Sequence, residues 1–191
     1  MAIDSIKIIK IESCANPQFI RPRLITYLQN GVEKTWEVAN THDSVSILLY
    51  HDSRDAFVLV KQFRPAIYLH NNDGYTHELC AGLVDKDKDI LIIAQEEILE
   101  ECGYAVPLEN IEKINAFHTA VGFAGGKQTL YFAKVDESMK VSEGGGIDDE
   151  EIEVVYLPSK DAQAFIYDES IAKTPGLMFA FLWFFEKQRL N

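Results

Sequence analysis

Four glutamates stand close together near the middle of this 191-residue chain: Glu96, Glu97, Glu100 and Glu101, with Gly103 just after them. On a helix, residues three and four apart share a face, so Glu97, Glu100 and Glu101 can turn their carboxylates into one small volume. Without a counterion that arrangement opposes the helix. Like charges at this spacing cost roughly 0.2–0.5 kcal/mol per pair, and anions in a last turn meet the negative end of the helix dipole. A bound cation turns both penalties into attraction, and an all-oxygen donor set suits hard Mg²⁺ or Mn²⁺ better than zinc. A solvated acidic face is the alternative that charge spacing alone leaves open.

Other residues could complete such a site. Ala81-Gly82 precedes an acidic turn through Asp85, Asp87 and Asp89. Arg64, at the end of an apolar run and beside Pro65, is placed to fork onto a phosphate, with a structural ion pair as the alternative. The stretch SEGGGIDDEE (142–151) reads as a mobile flap carrying a general base at Asp149, Glu150 or Glu151; an ordinary acidic loop is the other reading. The glycine-rich loop from Gly122 to Lys127 lets backbone come close to a ligand, or is a plain turn. Trp36 offers an aromatic face, though packing on a half-buried sheet would equally explain it.

These groups need a scaffold. Strand patterns at 24–29 and 32–38 flank Asn30-Gly31, a strong hairpin signal, so residues 1–40 are expected to form a β-rich appendage and 41–191 the main domain. Further strands are expected at 45–49, 56–62, 77–80, 114–117, 129–135 and 152–157. A helix runs up to Gly103, and two more follow at 159–167 and after Thr174-Pro175. The last is apolar nearly all round, which at its length means core rather than membrane. A composition of 47% hydrophobic and 25% charged residues fits one globular core. The net charge of −12 argues against nucleic acid or an anionic membrane as partner. Met1-Ala2-Ile3-Asp4 has neither a basic start nor an apolar run, and the odd set Cys14, Cys80 and Cys102 lacks metal-ligand spacing. Reduced thiols in a cytoplasmic protein are the expectation.

Gly82 and the spacing Glu97-x-x-Glu100-Glu101-x-Gly103 resemble the Nudix box, Gly-x5-Glu-x7-Arg-Glu-U-x-Glu-Glu-x-Gly-U, where U is a bulky apolar residue. Ile98 and Tyr104 fill apolar slots. Two positions depart: Lys88 stands where the pattern has its first Glu, and Glu96 where it has Arg. VLVKQFRPAIY, ELCAGLVD, EECGY, EIEVVYLP and KTPGLMFAFLWF carry the similarity along nearly the whole chain, toward the UDP-sugar diphosphatase branch of the Nudix hydrolases and the related ADP-ribose pyrophosphatases.

The resemblance implies an α/β fold, the Nudix α/β/α sandwich around a mixed sheet. It implies Mg²⁺ held by the Ala81 carbonyl and the Glu97, Glu100 and Glu101 carboxylates, with Mn²⁺ as a substitute. Arg64 would hold the diphosphate, and Trp36 would stack on the nucleobase, across a dimer. Gly122 and the loop after it would be candidates for further substrate contacts, Glu150 would be the base, and the appendage would build a homodimer. The activity implied is hydrolysis of UDP-glucose to UMP and glucose 1-phosphate. An ADP-ribose or ADP-sugar pyrophosphatase is the alternative, and a nucleotide-sugar binding protein with an impaired box is a third reading that the two departures motivate.

Overall fold

The structure, a computed structural model, describes residues 6–17, 20–147 and 150–190. Asn30 and Gly31 both take positive φ, 55° and 78°, the geometry of a two-residue turn whose twist matches that of paired strands. They join β1 (Arg21–Gln29) to β2 (Val32–Asn40) in unbroken antiparallel register. The two strands span the expected 24–29 and 32–38 and extend a little beyond them, and residues 6–17 before them carry no regular structure.

A mixed sheet forms the body. Its strands are β3 (Ser44–His51), β4 (Ala56–Phe63), β5 (Tyr75–Glu78), β6 (Cys80–Leu83), β7 (Ile111–His118), β8 (Lys127–Val135) and β9 (Ile152–Pro158). The order is β5-β4-β3-β8-β7, with β6 alongside β3 and β9 alongside β4; β3 and β8 are parallel and the other pairs antiparallel. β3 and β4 pair only where Leu49–His51 faces Ala56–Val58, and then part company. β5 runs on along β4 and β6 along β3, so the segment from Glu78 to Gly82 is delivered into the opening between them. What reads in sequence as one strand at 77–80 is the junction of these two.

Alternation along the strands builds a core on each face. On one side Val45, Ile47, Leu49, Val58 and Val60 pack under α2 (Ile90–Cys102). On the other, Leu48, Phe57, Leu59, Leu130 and Phe132 pack under α3 (Ala162–Tyr167) and α4 (Pro175–Leu190). The result is the expected α/β/α sandwich. α4 departs from its apolar sequence: Leu177, Ala180, Phe181 and Phe184 are buried, with Phe181 stacked on Phe57 at 4.3 Å, but Phe179 and Leu182 stay exposed. No helix among the described residues is long and apolar enough to cross a membrane.

One further helix, Pro65–Asn71, has no clear periodic signal in the sequence because it is only two turns long. In chain order it is α1. Pro65 occupies its first position, where a missing N–H costs nothing, and Arg64 before it is extended, as a residue preceding proline prefers.

Candidate active site

The site is built on the C-terminal half of α2. Asp89 caps the start of this helix by accepting from the Leu91 N–H at 2.8 Å. At the other end Gly103 takes φ 75°, and the chain turns back with N–H bonds to Leu99 and Ile98. The buried stripe is Ile93, Ala94, Ile98, Glu101 and Cys102, so Glu101 sits where an apolar residue is expected. It is only 5% exposed. The Ala81 N–H donates to its Oε2 at 2.9 Å. In an antiparallel pair a residue's N–H and C=O turn to the same side. The Ala81 carbonyl therefore also faces away from β3, toward the helix carboxylates. Gly82 comes next, and any side chain there would collide with the Glu97 carboxylate. A bare backbone at this point is what lets β6 approach α2.

Electrostatics mark the same two acids. Burial pushes the Glu97 carboxyl up to about 7, with Glu100, Glu150 and Asp85 adding to the shift and Lys86 opposing it. Burial also lifts Glu101 to about 8 against the Ala81 N–H and the Cys80 thiol, while Glu97 and Glu150 raise it further. Carboxyl groups that resist ionisation are gathered here in a partly dry space, a setting in which a divalent cation would favour their charged forms. Glu100 is half-buried and acts on Glu97. Among the described residues, no three His, Cys, Asp or Glu side chains already enclose a metal position. The cluster is thus an open arc of carboxylates, and the donor chemistry fits a hard divalent ion.

Glu150 reaches this arc from a loop whose glycine-rich start is bonded to the end of α2. Gly144, Gly145 and Gly146 all take positive φ, at 70°, 107° and 87°. The N–H groups of Gly145 and Gly146 donate to the carbonyls of Glu101 and Glu100, at 2.9 and 3.1 Å. The triglycine therefore satisfies carbonyls that the helix end leaves without partners, and Gly144 lies so close to that backbone that a Cβ would overlap it. Beyond it, Glu150 accepts from the Ile147 N–H at 3.1 Å and lies within Coulombic reach of Glu97, Glu101 and Arg64. Glu151 is exposed, and Asp149 lies outside the described residues.

Arg64 stands at the edge of the same cluster. Its guanidinium forks onto Glu78, Nε to Oε1 and Nη2 to Oε2, both at 2.8 Å. Burial works against the Glu78 carboxylate, yet the Arg64 bonds and charge, with the Thr76 hydroxyl, hold it below the usual carboxylate range. Glu78 and Thr76 escaped the sequence reading. The available signal was a charged residue in a strand whose alternate neighbours, Thr76 and Cys80, face inward. Trp36 and Gly122 are brought to each other: the indole Nε1–H donates to the Gly122 carbonyl at 2.7 Å, and the Ala39 N–H donates to Phe123 at 2.7 Å. They lie at the end of the sheet where Ser44 pairs with Leu83 and Gln128, the end from which the Gly82 loop leaves.

The two departures from the box prove to be one contact. The Lys88 ammonium bonds a Glu96 carboxylate oxygen, and Lys86 stands 3.8 Å from the other. Where the pattern has acid then base, this chain has base then acid, and opposite charges still tie the acidic turn to α2.

Comparison with known proteins bears on the whole chain. The NUDIX domain matches residues 40–174. The uridine diphosphate glucose pyrophosphatase of Bos taurus is 35% identical over 212 aligned positions, covering 96% of each chain. Its Mus musculus counterpart is 36% identical over 203 positions, 91% of each. The GDP-mannose pyrophosphatase of Cronobacter sakazakii is 38% identical over 127 positions, 66% of this chain and 65% of its own. With a domain match over most of its length and the carboxylate helix folded against Ala81-Gly82 as the box spacing requires, the chain belongs to the Nudix hydrolase family.

Proposed function

We propose that this protein is a Mg²⁺-dependent hydrolase of nucleoside diphosphate sugars that converts UDP-glucose to UMP and glucose 1-phosphate. The observation that carries the chemistry is the pair of destabilised carboxylates, half-buried Glu97 and buried Glu101, set against Ala81 and Gly82 with Glu150 within reach of their charge. Nudix hydrolases generally use divalent metal ions. When bound, such an ion neutralises the diphosphate and acidifies coordinated water. Glu97, Glu101, Glu100 and the Ala81 carbonyl are the groups proposed to hold it. Glu150 takes the proton of the attacking water, Arg64 holds diphosphate oxygens, and the P–O–P bridge opens toward the sugar phosphate.

The choice of substrate rests on the relatives named UDP-glucose pyrophosphatase, alike along the full chain. Stacking on Trp36 gives affinity without separating the bases, because every base offers a π face. A screen of UDP-glucose, GDP-mannose and ADP-ribose with Mg²⁺ tests the reading. UDP-glucose is expected to show the highest kcat/KM; a tenfold preference for another substrate, about 1.4 kcal/mol of transition-state stabilisation, would replace it while leaving the site intact.

The hairpin is proposed to join two copies. A two-stranded ribbon is marginal alone, and both faces of this one are exposed, with Leu24, Ile25, Leu28, Val32 and Trp36 open to solvent. Sedimentation should give a homodimer. A monomer that turns over normally at micromolar concentration would exclude any role for Trp36 across an interface.

A further inference from the structure

We propose that Glu78 is a positioning residue for the diphosphate site: it holds the Arg64 guanidinium in one orientation, with the unpaired edge turned to the carboxylate arc. The proposal rests on the role given to Arg64 above and extends it to a residue outside the box.

Two observations distinguish this pair from a bridge that merely stabilises the fold. First, burial is one-sided. The Glu78 side chain is 12% exposed and that of Arg64 47%, so the acid is the anchor and the base the presented group. Both carboxylate oxygens are engaged, and Oε1 also accepts from the Thr76 hydroxyl. Arg64 uses only Nε and Nη2, and has no other side-chain hydrogen bond among the described residues. Nη1 makes no hydrogen bond among the described residues and is left for a ligand, and the guanidinium as a whole feels the charges of Glu101 and Glu150.

Second, the Arg64 backbone is fixed as firmly as its side chain. Its N–H donates to the Gly74 carbonyl at 2.8 Å, and its own carbonyl accepts from Ile67 and Tyr68 at 2.9 and 3.0 Å as α1 begins. Gly74 takes φ 80° with Phe63 packed against it, leaving no room for a side chain. Arg64 is therefore clamped between a helix start and a strand carboxylate, and loses little freedom when a diphosphate arrives. An arginine fork oriented in advance binds phosphate oxygens in pairs; a lysine on the same stem is a mobile point charge.

Titration calorimetry of the full-length protein with methylenediphosphonate in the presence of Mg²⁺ tests this. R64A should weaken binding about 30-fold and E78Q about tenfold, while R64A/E78Q should match R64A within about twofold, because Glu78 acts only through Arg64. R64K keeps the charge, loses the fork and lies on the exposed side, so it folds whatever happens to E78Q; it should lose about tenfold. With UDP-glucose, E78Q should raise KM about tenfold and leave kcat within about threefold, a split that general loosening of the fold would not give. A double variant about tenfold weaker than R64A, an unaffected E78Q or R64K, or an R64A protein that binds as the native one does would each overturn the proposal. Native protein that binds the diphosphonate yet hydrolyses no nucleotide sugar would overturn the proposed function and leave this inference standing. Native protein that does not bind it would overturn both.

Discussion

Replacing Glu101 with glutamine should lower kcat at least about 100-fold and, in the metal-free protein, raise the melting temperature at neutral pH. The two effects have one cause. Glutamine keeps the size of the side chain and an oxygen to accept from the Ala81 N–H, so the helix and β6 stay docked. What disappears is a charge that burial already disfavours, with the carboxyl at about 8. Its folded value lies above its unfolded one, so its contribution to stability is complete below about pH 4.5 and is lost as pH rises through about 8. The native metal-free protein should therefore weaken between those values while the variant does not, and adding Mg²⁺ should close the gap by stabilising only the native chain. Melting curves across that window, with and without Mg²⁺, measure this. Near-normal turnover in the variant would show that the buried acid is structural and that the arc is not the metal site.

Glu150→Gln should lower kcat about 100-fold by removing a general base, while Mg²⁺ affinity changes by less than about threefold. The loop would keep its path, because its attachment to α2 runs through the backbone of Gly145 and Gly146 rather than through this side chain. Glutamine also retains an oxygen for the Ile147 N–H. Glu151→Gln serves as the control and should stay within about threefold of native turnover, since a base must reach the attacking water and it is the charge of Glu150, not of Glu151, that is felt at Glu97, Glu101 and Arg64. A greater loss in the Glu151 variant, or in one of Asp149, would assign the proton to a different acid. Metal affinity falling in step with kcat would instead make Glu150 a ligand.

How far the sequence alone reached can be traced residue by residue. Asn30-Gly31 specified its turn because both residues must take positive φ, which few others do cheaply. Glu97, Glu101 and Gly103 were legible because helix periodicity is local, and Gly82 because a fixed spacing tied it to them. The pairing of Glu78 with Arg64 was not legible. It depends on β5 lying beside β4 with Val60 opposite Glu78, and no local pattern sets that register. The path of the triglycine was not legible for a related reason. Composition says that Gly144 to Gly146 can bend, but only packing against the end of α2 decides that they are held. Trp36 was singled out for its ring face, while the structure also ties its N–H to Gly122, a contact 86 residues away.

The reversed charges at Lys88 and Glu96 act as a pair. An acid at 88 or a base at 96, introduced alone, would set like charges face to face across the turn, so the two positions are energetically coupled. Lys86, 3.8 Å from the second Glu96 oxygen, leaves a cation beside the acid even when Lys88 is changed, so the loss of Lys88 alone is softened. Weighed column by column, the motif counts two separate departures where the molecule has one contact.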